Sequence, residues 1–183
     1  MNIGGHSILV HLGAKILLMR RITSARGCRP WPRNKFASYR AVATGRALLT
    51  FTLCLGAGQR IGNALKMRWS DIDGEGMRVL QNKTGARLRV PFSPHLRTVL
   101  SSSPKPGVTI CACGRREPTS SRGASDQIMA ARINIGSEKY DLHGPRYSAA
   151  SELAEPGCSD ELIAAINGHS TSAMMRKYAG AAR

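Results

Sequence analysis

Apolar positions recur at helical spacing over most of this chain and alternate over one short stretch. Phe36, Tyr39, Val42, Ala43, Leu49 and Leu53 predict a helix over Phe36–Leu55, stopped by Gly56 and Gly58. Ile61, Leu65 and Trp69 stand four apart and predict a second helix over Ile61–Trp69, with all three on one stripe. Met77–Gln81 and Leu88–Phe92 alternate as strands, joined by a turn containing Lys83, Thr84 and Gly85. Further helices are predicted over Pro94–Leu100, Gln127–Ile135, His143–Leu153, Asp160–Ile166 and Thr171–Tyr178, with Ser101–Ser103 and Thr119–Gly123 as exposed loops. The fold class that follows is mainly α with a small antiparallel β-sheet, an α+β domain.

The ends of the chain bound that domain. Arg29–Asn34 is rich in proline and basic residues and reads as a linker leading into it. We therefore divide the chain into an N-terminal helical or frayed segment, residues 1–28, and one main domain, residues 29–183. The apolar run Ser7–Met19 is too short to span a membrane and is interrupted by His11 and Lys15. Its arginines, Arg20 and Arg21, follow the run, the reverse of a signal peptide, so it reads as a helix packed on the domain or frayed.

Charge changes the picture from a generic domain to one with a polyanionic partner. Lys and Arg number 27 against 11 Asp and Glu, a net +16, and the first acid is Asp71, after twelve basic residues. Nucleic acid is the first candidate for such an excess. The five cysteines, Cys28, Cys54, Cys111, Cys113 and Cys158, are odd in number and form no framework, which predicts reduced thiols, no disulfide and a cytoplasmic setting. Cys111-Ala-Cys113 has the wrong spacing for zinc and lacks a second pair, so no metal site is predicted.

Four short segments and the chain's end carry the candidate chemistry: Arg60 in G-Q-R-I-G-N-A-L, Lys83 in N-K-T-G, His143 and Arg146 in H-G-P-R-Y, His169 in N-G-H-S and Tyr178 in R-K-Y-A-G. Taken singly, each is a common surface cation, structural histidine or half-buried aromatic. In this order and spacing, with Tyr178 nine residues after His169, the set resembles the active site of the tyrosine recombinase (phage integrase) family.

The resemblance covers about Arg29–Arg183 and implies a catalytic-domain fold and metal-free, cofactor-free chemistry on double-stranded DNA. Tyr178 would be the nucleophile that forms a covalent phosphotyrosyl bond, and Arg60 and Arg146 would bind the non-bridging oxygens through paired N–H donors. Lys83 would protonate the leaving 5′ oxygen, His169 would hydrogen-bond the phosphate, and His143 would assist proton transfer near Tyr178. The family also implies further recombinase subunits as partners in a homo-oligomer on DNA, and no membrane.

Two residues depart from the family pattern. Asn63 stands where an acidic residue usually buttresses the site, and Pro145 replaces the usual leucine in His-x-x-Arg. Residues 1–28 are too short for the family's N-terminal helical clamp, so the expectation is a catalytic domain without it. The alternative is a truncated remnant that binds DNA without useful turnover. An RNA-binding module fits the charge and leaves the six residues unexplained.

Overall fold

The computed structural model describes residues 31–82, 85–113, 117–141, 143–154, 159 and 163. The expected mainly helical domain with a small antiparallel sheet is observed, in the order α1 (Arg33–Val42), α2 (Gly45–Gly56), α3 (Ile61–Ala64), β1 (Ile72–Asp73), β2 (Gly76–Leu80), β3 (Arg87–Pro91), α4 (Pro94–Ser102), α5 (Ser121–Asn134) and α6 (Gly144–Ala154). The expected helices over 7–19, 160–166 and 171–178 lie outside the described residues, apart from Ile163, which is helical and fully buried.

Helix α2 is the hub, packing against α3, α4, α5 and α6. One of its faces gives Leu49, Leu53 and Cys54 to a core shared with the sheet, α4 and Ile110. The other gives Phe51 and Leu55 to an aromatic core built with α1, α5 and α6. Two apolar faces explain why this helix is apolar nearly all round.

Sequence periodicity overran several element ends. The single helix expected over Phe36–Leu55 is two, because Ala43 is extended (ψ 134°) and Gly45 has φ +51°, a left-handed conformation that favours glycine. The helix expected over Ile61–Trp69 stops after one turn. The chain then straightens: Trp69 N–H donates to Val108 O (3.2 Å) and Ile110 N–H to Met67 O (2.9 Å). Leu65 and Trp69 still meet the core, so the apolar stripe is kept without the helix. Ser101 and Ser102 belong to α4, and Thr119–Gly123 is no exposed loop: Thr119 is buried and Ser120 caps α5, its Oγ accepting from Gly123 N–H at 3.1 Å.

The largest correction is at Trp31. The segment read as a linker puts this indole 3% exposed in the aromatic core, with its ring centroid 4.9 Å from Phe51, 5.6 Å from Tyr39 and 5.8 Å from Tyr140. Its indole N–H donates to Asp141 O (3.0 Å), its backbone N–H to Ser148 Oγ (2.7 Å), and its carbonyl accepts from Ser148 Oγ (3.1 Å). Pro32, next to it, stiffens a strap against α6 rather than loosening a tether. Among the described residues, no helix is long and apolar enough to cross a membrane.

The sheet runs β1-β2-β3, antiparallel throughout, with Met77 opposite Val90 and Arg78 opposite Arg89. Met77, Val79 and Val90 point into the core, while Arg78, Leu80, Arg87 and Arg89 point out. The expected alternation is therefore present, although the two-residue β1 is too short to have shown one.

Candidate active site

Arg60 follows a turn that the sequence forces. Gly58 has φ +58°, Gln59 is buried, and Arg60 caps α3, its carbonyl accepting from Asn63 N–H (2.9 Å) and Ala64 N–H (3.0 Å). The Arg60 side chain is half-buried, and its Nη1 is buried with no hydrogen-bond partner among the described residues. A buried cationic N–H without an acceptor is costly, so this position favours an incoming anion.

Arg146 comes to the same turn from α6. It is 1% exposed, and its Nη1 donates to Gly58 O at 2.8 Å. The two arginines are thus brought around one turn. Pro145 lies in the first turn of α6, where a missing N–H breaks no helical bond, and Arg146 is in place beside it.

His143 sits just before α6 and is exposed, so it faces solvent where Arg146 faces the interior. Both belong to one well-anchored helix start: Asp141 Oδ1 accepts from His143 N–H (3.0 Å) and Gly144 N–H (2.9 Å). Lys83, His169 and Tyr178 lie outside the described residues.

Asp141, Gln59 and Gln81 also shape the site and are not among the six residues that mark it in the sequence. The aspartate had a signal, an Asp three residues ahead of the start of α6 at Gly144, whereas lone buried amides have none. Gln59 Oε1 accepts from Gln81 Nε2 (2.8 Å) and Asn63 Nδ2 (3.2 Å), and Asn63 Oδ1 accepts from Asn82 N–H (3.2 Å). Asn63 thus works through amide hydrogen bonds in both directions, one of which a carboxylate could not donate.

Beside this network a groove of about 780 Å³ is lined by Lys66, Arg68, Arg78, Arg87 and Arg89, with Asp71 its acid. Arg78 and Arg89 are direct cross-strand partners, and like charges so placed repel. Arg78 Nη2 donates to Ser70 O and Arg89 Nη2 to Asp73 O, both at 3.1 Å, so each guanidinium is held by its own backbone carbonyl. Such a surface gains from a polyanion that neutralises it. The Cys111 thiol is pushed up to about 11 by burial, and Thr50 Oγ1 donates to its Sγ at 3.3 Å. No group of three or more His, Cys, Asp or Glu side chains that could hold a metal ion occurs among the described residues.

A helical domain that gathers one arginine from a glycine turn and another from a His-x-x-Arg helix keeps to the class expected from the sequence. The profile of the Phage integrase family matches residues 34–183, and the chain belongs to that family. It is similar to the integrase of Escherichia phage lambda, 31% identical over 143 residues that cover 71% of this chain and 40% of that protein. The chain thus spans well under half the length of the curated relatives it matches. Among solved structures, the lambda integrase catalytic core superposes with a TM-score of 0.66 at 28% identity, covering 78% of this chain and 92% of that one. A lambda integrase dimer bound to a COC' core site gives a TM-score of 0.70 at 28% identity over 82% of this chain and 47% of that one.

Proposed function

We propose that this chain is the strand-cleaving and joining domain of a site-specific tyrosine recombinase acting on double-stranded DNA. The observation that carries the reading is the Arg60 guanidinium, which has a buried Nη1 lacking a partner among the described residues and sits in the turn that also holds Arg146. A phosphate oxygen supplies the missing acceptor, and two forked donors suit the charge that gathers in a pentacoordinate phosphoryl transition state.

In this reading Tyr178 Oη attacks the scissile phosphorus, forming a 3′-phosphotyrosyl bond as the bond from phosphorus to the 5′ oxygen breaks. His143 takes the tyrosine proton, Lys83 gives a proton to the leaving 5′ oxygen, and His169 hydrogen-bonds the phosphate. Joining is the reverse, with a 5′ hydroxyl attacking the phosphotyrosine, so no external energy source is required. The basic groove beside the sheet holds the flanking backbone. The dimeric lambda relative on its core site supports two or more subunits of this chain working together on DNA. The free thiols of Cys54, Cys111 and Cys113 suit work in the reducing cytoplasm.

The test is a pool of nicked duplexes with randomised flanks, incubated with the protein and then with denaturant. Wild type is expected to retain covalently bound DNA, and Tyr178→Phe to retain none. Retention by both proteins, or by neither, overturns the reading. Duplex binding without retention identifies a DNA-binding remnant.

A further inference from the structure

We infer that Gln81 is a positioning residue for Lys83, tying the end of β2, two residues before that lysine in sequence, to the turn that carries Arg60; this rests on the role proposed above for Lys83. Gln81 is fully buried at the end of β2 and is bonded on both sides. Its side chain reaches back: Nε2 donates to Gln59 Oε1 at 2.8 Å, and Gln59, 1% exposed, donates from Nε2 to Ala57 O at 2.9 Å. Gln59 is the residue immediately before Arg60.

Its backbone closes the turn ahead. Gln81 N–H donates to Ala86 O (2.9 Å), and Gln81 O accepts from Gly85 N–H (2.8 Å). The four residues between those bonds are Asn82, Lys83, Thr84 and Gly85. Asn82 is held as well, its N–H donating to Asn63 Oδ1 (3.2 Å) in α3.

Two buried carboxamides paired across a core are a costly way to fill space, since each must be stripped of water and then satisfied. What an apolar pair of the same volume would lack is direction. The Gln59–Gln81 bond fixes the end of β2 against the Arg60 turn. A proton donor has to lie within hydrogen-bond reach of its target, and a displacement of about 1 Å costs on the order of 10²-fold in rate.

The experiment compares one duplex recovered by wild type from the nicked pool with the same duplex carrying sulfur at the 5′ bridging position of the scissile phosphate. A thiolate leaves without a proton, so the general acid becomes dispensable. Gln81→Met, which keeps volume and loses the donor, is expected to cleave the oxygen substrate about 10- to 100-fold slower than wild type and the sulfur substrate at close to the wild-type rate. Gln81→Leu should behave alike. Each variant is its own control, because a smaller folded fraction lowers both rates together and leaves their ratio unchanged. Equal slowing on both substrates, or no slowing on either, overturns the inference. Lys83→Ala separates the two claims. If it too is slowed equally on both substrates, the assignment of Lys83 fails and this inference with it; if sulfur rescues Lys83→Ala and not Gln81→Met, only the inference fails.

Discussion

Arg146 Nη1 donates to the carbonyl of Gly58 at 2.8 Å, a bond between residues 88 apart in sequence. Because Gly58 opens the turn that ends in Arg60, this contact ties the Arg146 guanidinium of α6 to the backbone of the turn that carries the first arginine. Arg146→Lys keeps a cation and loses the planar fork. Cleavage of a nicked duplex should fall about 10²- to 10³-fold, the scale of losing one preorganised donor to a developing oxyanion. Duplex affinity, carried by many other cations, should change little, and a parallel filter-binding titration checks that.

Asp141 is the N-terminal anchor of the same helix, accepting from His143 N–H and Gly144 N–H through one oxygen. Asp141→Ala should cost about 0.5–2 kcal/mol in urea unfolding, and Asp141→Asn much less, since a carboxamide oxygen still caps.

Trp31 tests the boundary of the domain. If the strap is core, as its contacts with Phe51, Tyr39 and Ser148 indicate, Trp31→Ala should lose about 3–5 kcal/mol by chemical denaturation. A loss under about 1 kcal/mol, the size expected of a surface change, would return the segment to a linker.

Alkali should destabilise the fold. Burial raises the Cys111 thiol from 9.0 to about 11, and raises Cys54 above 9.0 and the Tyr39 phenol above 10.0. The folded state keeps protons that the unfolded chain releases from about pH 9, so this stability is whole below pH 9 and is lost as pH rises through 11. Urea midpoints should be level from about pH 7 to 8.5 and fall above pH 9, less steeply in Cys111→Ala; a level profile to about pH 10.5 would contradict the burial of these groups.

What the sequence disclosed follows from which signals are periodic or local. The strands β2 and β3 were legible because Met77 and Val79 alternate with Arg78 and Leu80, and α4 because Pro94 and Leu96 open an amphipathic run behind Ser93. Helix boundaries were less legible: the apolar spacing of Phe36–Leu55 continues through a break made by backbone angles at Ala43 and Gly45. The first half of α5, Ser121–Asp126, is polar and small, so only its cap at Ser120 marked it. At the site, Arg60, His143 and Arg146 stood out by their order along the chain, and the structure adds the Gly58 carbonyl that ties Arg146 to the turn preceding Arg60. Gln59 and Gln81 escaped because a buried amide pair depends on two distant residues meeting, which no local pattern records.

The central claim is that Tyr178 carries the DNA, and the most direct test identifies the amino acid in the covalent complex. Trypsin cutting after Lys177 frees Tyr178–Arg183 as one peptide. Digesting the denatured adduct with nuclease and trypsin, then sequencing the modified peptide by mass spectrometry, should find the nucleotide on that peptide at the tyrosine oxygen. A nucleotide on any other residue would contradict the account.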